Sequence, residues 1–239
     1  MFLLDLTLNT SAENLALDEA LLEQCENAPQ PVEVLRLWES PQPIVVIGRS
    51  SRIDVEVNRG RCANLGIPIL RRSSGGTAIV AGRGCLMYGV VLSYELRPEL
   101  RPIDEAHRFV LGVIAEYLRE FLPGVEHRGL SDLAIAEQKI SGNSMRCKRN
   151  CFLYHGTLLY DFPLDLIDAC LHTPPRQPDY RAGRSHDEFV MNAPVACNDL
   201  RQTLIAAWDA NTNLVDWPRE ETVRLAIEKY SQEEWTLRL

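Results

Sequence analysis

Three short strings carry residue types that could do chemistry: Arg71-Arg72-Ser73-Ser74-Gly75-Gly76, Lys139-Ile140-Ser141-Gly142, and His155-Gly156-Thr157-Leu158-Leu159. Adjacent glycines let a loop backbone approach a ligand and turn its N–H groups toward an anion, and an arginine beside them adds charge-assisted hydrogen bonds. The same string would also make a tight turn between strands with its arginines in solvent. Lys139 lies on an alternating stretch with Ala136 and Ile140. An inward-facing, partly desolvated ammonium there requires a carboxylate or a phosphate, whereas a lysine at a strand end is ordinarily solvated. No G-x-G-x-x-G opens a helix and no G-x-x-x-x-G-K-[ST] occurs, which argues against a Rossmann or Walker nucleotide site.

The elements that must position these strings can be read from periodicity. Thr10 followed by Glu13 is a capping box opening a helix through about Cys25. VEVLRLWE alternates as a strand, PIVVIGR is a buried β run ended by Gly48, and IPILRRSSGG is a strand running into a glycine turn. TAIVAG and LMYGVVLSY continue the β pattern, and 104–121 is a strongly amphipathic helix. SDLAIAEQKISGNSMRCKRNCFLYHGTLLYDF reads as two or three strands with RCKRN as a hairpin turn. DLIDACL, QTLIAAWDANTN and EETVRLAIEKYSQEEW read as helices, and TPPRQPDYRAGRSHDEF as a mobile loop. The sum is an α+β (α/β) domain: a mixed, largely antiparallel sheet flanked by helices.

Composition narrows the partners. The chain has 239 residues, a size expected of a single domain, and a net charge of −8 disfavours nucleic acid and anionic membranes, both of which reward a basic surface. The N-terminal apolar run is interrupted by Asp5 and lacks a basic leader, so a cytoplasmic protein is expected. Seven cysteines without C-x-x-C spacing and without paired histidines predict neither a disulfide framework nor a zinc site.

Taken together, NLALDEALL, RLWESPQPIVVIGRSSRIDVEVN, RRSSGGTAIV, SDLAIAEQKISGNS, HGTLLYDF and EKYSQEEW resemble, in order and spacing, the lipoate-protein ligase family within the superfamily of biotin ligases and octanoyltransferases. The resemblance implies one catalytic domain over 1–239 with the biotin/lipoate ligase fold. It implies that lipoic acid and ATP, with Mg²⁺, give an acyl adenylate, and that the acyl group passes to a lysine of a lipoyl domain of a 2-oxoacid dehydrogenase complex or of the glycine-cleavage H protein. Lys139 matches the family's essential lysine, which would hold carboxylate and α-phosphate oxygens. Arg72, Ser74, Gly75, Gly76, Thr77, Ser141, Gly142, His155, Gly156 and Thr157 would form the acyl-adenylate site, with His155 shaping it rather than catalysing. Asp132 matches the acidic residue of the family's N-D-L motif, here preceded by Ser131, and would orient a metal or the adenylate. Arg181 or Arg184 would close over the phosphate.

Two departures from the family pattern stand out. Where many members continue G-G-G-A-V-x-H-D, this chain has Gly76-Thr77-Ala78-Ile79-Val80-Ala81-Gly82. The C-terminal accessory domain typical of such ligases also has no counterpart in the sequence, which implies a separate accessory subunit, use of preformed lipoyl-adenylate, or a different activity. The rival activity is ATP-independent octanoyl transfer from acyl carrier protein through a cysteine thiolate, for which Cys170 is the candidate. A non-catalytic protein that binds lipoate or lipoyl domains is the alternative from another class. A monomer is the default expectation.

Overall fold

The computed structural model describes residues 1–239. Strand β1 (Phe2–Asp5) leads into α1 (Ser11–Asn27), whose start is the expected capping box. Thr10 Oγ1 accepts from the Glu13 N–H at 3.2 Å, and the Glu13 carboxylate accepts from the Thr10 N–H at 2.9 Å. Then come β2 (Val34–Trp38), β3 (Ile44–Ile47), the short helices α2 (Ile53–Glu56) and α3 (Arg59–Leu65), β4 (Ile69–Arg71), β5 (Ile79–Ala81), β6 (Cys85–Ser93) and α4 (Ile103–Leu118). A run of antiparallel strands follows: β7 (Glu126–Arg128), β8 (Asp132–Ile135), β9 (Gln138–Cys147) and β10 (Cys151–Leu159). The chain finishes with α5 (Asp165–Cys170), α6 (His186–Phe189), α7 (Cys197–Ala207), β11 (Thr212–Asn213), α8 (Arg219–Leu225) and α9 (Glu233–Thr236).

Eight strands form one sheet in the order β11-β1-β2-β6-β10-β9-β8-β7, parallel only at β11-β1 and β1-β2. A second sheet, β4-β3-β5, is mixed. Strand periodicity divides the large sheet's side chains between two cores. Leu35, Leu37, Tyr88, Val90, Phe152 and Tyr154 pack toward α4 and α7. The alternate residues face α1 and the small sheet: Trp38, Met87 and Leu159 in one cluster, Val34, Val91 and Leu153 in another. The mixed, largely antiparallel sheet expected from the sequence is therefore present, and no helix is long and apolar enough to cross a membrane.

The C-terminal segment differs from the single helix that its sequence suggests. The helix α8 ends at Leu225, Ala226–Tyr230 forms a π-helical turn, and α9 is separate. The cause is tertiary. Lys229 Nζ lies 2.7 Å and Tyr230 Oη 2.8 Å from Glu19 Oε2 on α1. Adjacent residues of a regular helix point about 100° apart, and the wide turn brings both to one carboxylate. The loop at 173–189 is likewise more ordered than its composition suggests, holding a 3₁₀ turn at Asp179–Arg181 as well as α6.

Candidate functional site

The strands bring the three strings to the α1 side of the large sheet. A cavity of about 120 Å³ lies there between the large sheet and β5. Its apolar wall includes Ile79, Val80, Leu159, Ile167, Leu171 and Phe189, and its polar lining includes Glu56, Thr77, Lys139, Ser141, Thr157 and Arg181. Such a lining suits an elongated apolar ligand with an anionic head.

Lys139 reaches this place through two local devices. The β8–β9 pairing carries a bulge: Leu133 pairs with Ser141 but Ala134 with Lys139, which re-aims the strand start. Gly142 then leaves room for the side chain, since a Cβ there would sit 2.9 Å from both Cε and Nζ of Lys139. This gives the K-x-S-G spacing a steric reason. Asp132 pairs with Gly142 in register, so the lysine crosses the bare glycine to its carboxylate, with Lys139 Nζ 2.7 Å from Asp132 Oδ1. The second Asp132 oxygen accepts from the Tyr180 hydroxyl at 2.8 Å. Gly156 has a parallel explanation: a Cβ there would lie 1.7 Å from Asn143 Oδ1, which accepts from the Tyr88 hydroxyl.

The arginines of the glycine loop behave differently from what the resemblance implies. Arg72 does not border the cavity. The residue is buried, 7% exposed, and its guanidinium donates to the carbonyls of Val46 (3.0 Å), Gly75 (2.5 Å) and Thr77 (2.9 Å). Burial lowers its pKa to about 10, so it stays charged at neutral pH. Arg71 is spent similarly, on the carbonyls of Gly48, Ser51 and Thr236. Backbone oxygens stripped of water must find donors, and here the loop's own carbonyls consume the arginines.

The consequence is an oriented loop. The Gly75 oxygen also accepts from Ser144 Oγ (2.9 Å) and the Gly76 oxygen from Ser51 Oγ (3.1 Å). The N–H groups of Gly75, Gly76 and Thr77 make no hydrogen bond within the protein, and both glycines are solvent-exposed. Gly76 has φ +82°, a left-handed backbone that glycine adopts without strain. With carbonyls held inward and N–H groups free, the crest is suited to an anion.

His155 also lies outside the cavity lining. It occupies a row across the sheet, Arg36–Gly89–His155–Ser144 in register on β2, β6, β10 and β9. Asp18 on α1 drops over Gly89 and forms an ion pair with Arg36, while its Oδ2 lies 3.3 Å from His155 Nδ1. His155 Nε2 is 2.6 Å from Ser74 Oγ. Burial alone would raise the Asp18 pKa, but the Arg36 charge and the His155 hydrogen bond outweigh it and hold the carboxyl below its ordinary value. Ser74, His155 and Asp18 thus stand in nucleophile-triad order, yet Ser74 is fully buried and its Oγ already accepts from Arg72 Nε at 3.1 Å. The chain of contacts is a truss between α1 and the glycine loop.

On the loop after β10, the two arginines divide. Arg184 Nη2 donates to the carbonyls of Glu137 (2.9 Å) and Tyr180 (2.7 Å). Arg181 is 3% exposed, borders the cavity, and has no partner for its Nη2. No carboxylate forms an ion pair with it, and its ring neighbour is Phe189, 5.0 Å from Cζ to centroid. Cys170 is fully buried and outside the lining, although Ile167 and Leu171 belong to it. Burial, reinforced by the Cys62 thiol, pushes Cys170 up to about 12.

Glu56, Asp18 and Arg36 were not singled out from the sequence. Glu56 borders the cavity and accepts from the Ala78 N–H at 2.6 Å. A signal for Asp18 and Arg36 exists: each interrupts an apolar run, LALDEALL and VLRLW, and charges within buried elements must pair.

The sequence model of a family described as the lipoyl protein ligase A/B catalytic domain matches residues 10–203. A protein of Aeropyrum pernix described provisionally as a lipoate-protein ligase A is 34% identical over 61% of this chain, and the chain spans 52% of that relative's length. A chain in the structure of an archaeal lipoylation system, a bipartite lipoate protein ligase and its E2 lipoyl domain from Thermoplasma acidophilum, superposes with a TM-score of 0.85 at 25% identity, covering 99% of this chain and 95% of that one. A lipoate-protein ligase A bound with ATP gives a TM-score of 0.82 at 25% identity, covering 99% of this chain and 98% of that one.

Proposed function

Because the chain belongs to the lipoyl protein ligase A/B catalytic-domain family, we propose that it is a lipoate-protein ligase, activating lipoic acid with ATP and transferring the lipoyl group to a lysine of a lipoyl domain. The observation that carries the reading is that Lys139 and Arg181, whose Nε donates to the Arg184 carbonyl at 2.9 Å but whose buried Nη2 has no partner, border one apolar-walled cavity. An acyl acid fits that pairing, with its chain against Ile79, Leu159 and Phe189 and its carboxylate at the cations.

In the first step an oxygen of the acid attacks the α-phosphorus and pyrophosphate leaves with its bond to that phosphorus. In the second, the acceptor amine attacks the acyl carbon, AMP leaves with the acyl C–O bond pair, and the amine's proton passes to solvent. Both steps hold or develop negative charge on oxygens that repel one another, so fixed cations and N–H donors lower the barrier. Lys139 turns from Asp132 to the substrate oxygens, Arg181 Nη2 supplies a second donor, and the crest of Gly75, Gly76 and Thr77 offers N–H groups to the nucleotide phosphates. Asp132 has both oxygens engaged, and no three His, Cys, Asp or Glu side chains cluster as metal ligands. Mg²⁺ is ordinarily held by one or two carboxylates together with substrate phosphates, so the ion would arrive with ATP and neutralise its phosphate charge.

Replacing Arg181 with glutamine is expected to raise the KM for lipoic acid or ATP about 10- to 100-fold, the value of one hydrogen bond to a charged group, in a steady-state adenylation assay. Equal affinities in variant and parent would remove Arg181 from the site. A Cys170→Ala variant is expected to keep activity within about twofold, since a buried thiol with a raised pKa is a poor nucleophile; loss of activity with an unchanged melting temperature would favour the transferase reading.

Lipoyl domains of 2-oxoacid dehydrogenase complexes or the glycine-cleavage H protein are the proposed acceptors, with a separate accessory subunit as the bipartite relative has. The setting is the cytoplasm, where the seven unpaired cysteines would stay reduced. The reading is tested by incubating the protein with lipoic acid, ATP and Mg²⁺ and analysing the products by mass spectrometry. Lipoyl-AMP is the expected product; acylation of a lipoyl domain from octanoyl carrier protein without ATP is the result that would replace this reading.

A further inference from the structure

We propose that Tyr180 is a positioning residue for Lys139, acting through Asp132. The carboxylate of Asp132 is bracketed: Oδ1 faces Lys139 Nζ at 2.7 Å and Oδ2 accepts from the Tyr180 hydroxyl at 2.8 Å. A carboxylate held at one oxygen only can rotate about its last side-chain torsion, a broad and soft one. Held at both, it has one orientation and presents Oδ1 to the lysine in one place.

Tyr180 is itself seated firmly. Its ring packs against Phe189 with centroids 5.0 Å apart, and the Arg128 guanidinium lies over it at 5.5 Å. Gly129, in a left-handed conformation at φ +57°, makes the space: a Cβ there would come within 3.1 Å of Pro178 and 3.5 Å of the Tyr180 ring. Burial, and then the neighbouring Asp132 charge, keep the phenol well above its ordinary pKa, so the hydroxyl remains a donor at any working pH. The next residue on the same 3₁₀ turn is Arg181. One turn therefore steadies the carboxylate that aims Lys139 and presents the second cation to the cavity. When Lys139 leaves Asp132 for a substrate oxygen, Tyr180 keeps the carboxylate in place for its return.

The idea rests on Lys139 as the working cation, but its test reads the lysine directly. The chain has only three lysines, Lys139, Lys148 and Lys229, and each is ion-paired and similarly exposed, at 28%, 27% and 23% of the side chain. Trace acetylation of the native protein with acetic anhydride, quantified by peptide mass spectrometry, thus has two internal controls. In Tyr180→Phe, which keeps the ring and removes the hydroxyl, Lys139 labelling is expected to rise about tenfold, the lower end of the value of one hydrogen bond to a charged group, with Lys148 and Lys229 unchanged. Unchanged Lys139 labelling would overturn the proposal, and so would an equal rise at all three, which would report general loosening. In the adenylation assay the same variant is expected to lose about tenfold in kcat with KM unaltered. A parental kcat would also overturn the proposal. If neither protein forms an adenylate on its own, the labelling still decides the role of Tyr180, and transfer from preformed lipoyl-AMP decides the ligase reading.

Discussion

Replacing Lys139 with alanine is expected to lower adenylate formation and acyl transfer about 100- to 1000-fold, the range for removing a preorganised charge-stabilising group, while the protein stays folded. The fold should tolerate the change because the lysine end of the pair is partly solvated, 28% exposed against 9% for Asp132, so the lost attraction is screened by water. Asp132 retains the Tyr180 hydroxyl as a donor. Arginine at position 139 should rescue poorly, because a planar guanidinium is not a compact point charge and cannot take the place of the ammonium at the Asp132 and substrate oxygens. Rates at saturating substrate together with thermal melts check both halves: a variant that loses activity only by losing its fold would contradict the assignment.

The second large effect concerns stability. Asp18→Asn is expected to cost about 3–5 kcal/mol, the usual consequence of removing one partner of a buried ion pair. Arg36 is 1% exposed and its other partners are Asn14 and backbone carbonyls, so nothing else neutralises it. The loss should also reach the site, since Asp18 steadies His155 and His155 steadies Ser74 in the glycine loop. The pH dependence has a definite sign. The folded protein holds Asp18 below its ordinary value of 3.8, so between the two values the unfolded chain binds more protons and stability falls as pH falls. The contribution is complete above the unfolded value and is lost as pH drops through the depressed folded one. Urea unfolding at neutral and acid pH should show parent and variant converging at acid pH; a constant gap between them would contradict the account.

How much of this was legible before the structure varies with the range of the forces involved. Local signals were readable. Thr10 and Glu13 form the capping box they announce, and Lys139 finds the carboxylate its inward direction requires, although Ala136 lies in the turn before β9 and the bulge, not simple alternation, aims the lysine. Arg72 was readable only as a type. Beside two glycines it looks like a ligand-binding arginine, but the buried carbonyls of Val46, Gly75 and Thr77 compete for the same N–H groups and hold them. That competition depends on which oxygens lose their water, which no spacing rule encodes. Tyr180 and Asp132 are 48 residues apart, and the contact follows from how one loop packs on a hairpin. The π turn at Ala226–Tyr230 has the same origin, since α1 and its Glu19 lie about 200 residues away in a chain of 239, beyond any helical periodicity.

The most direct measurement of the central claim is the intact mass of an apo lipoyl domain after incubation with this protein and preformed lipoyl-AMP, which bypasses any accessory subunit needed for activation. A mass increase of one lipoyl group per acceptor, abolished in Lys139→Ala, is the predicted result. No increase, or an increase that the variant reproduces at the parental rate, would contradict the role assigned to Lys139 and with it the reading of the cavity as a lipoyl-transfer site.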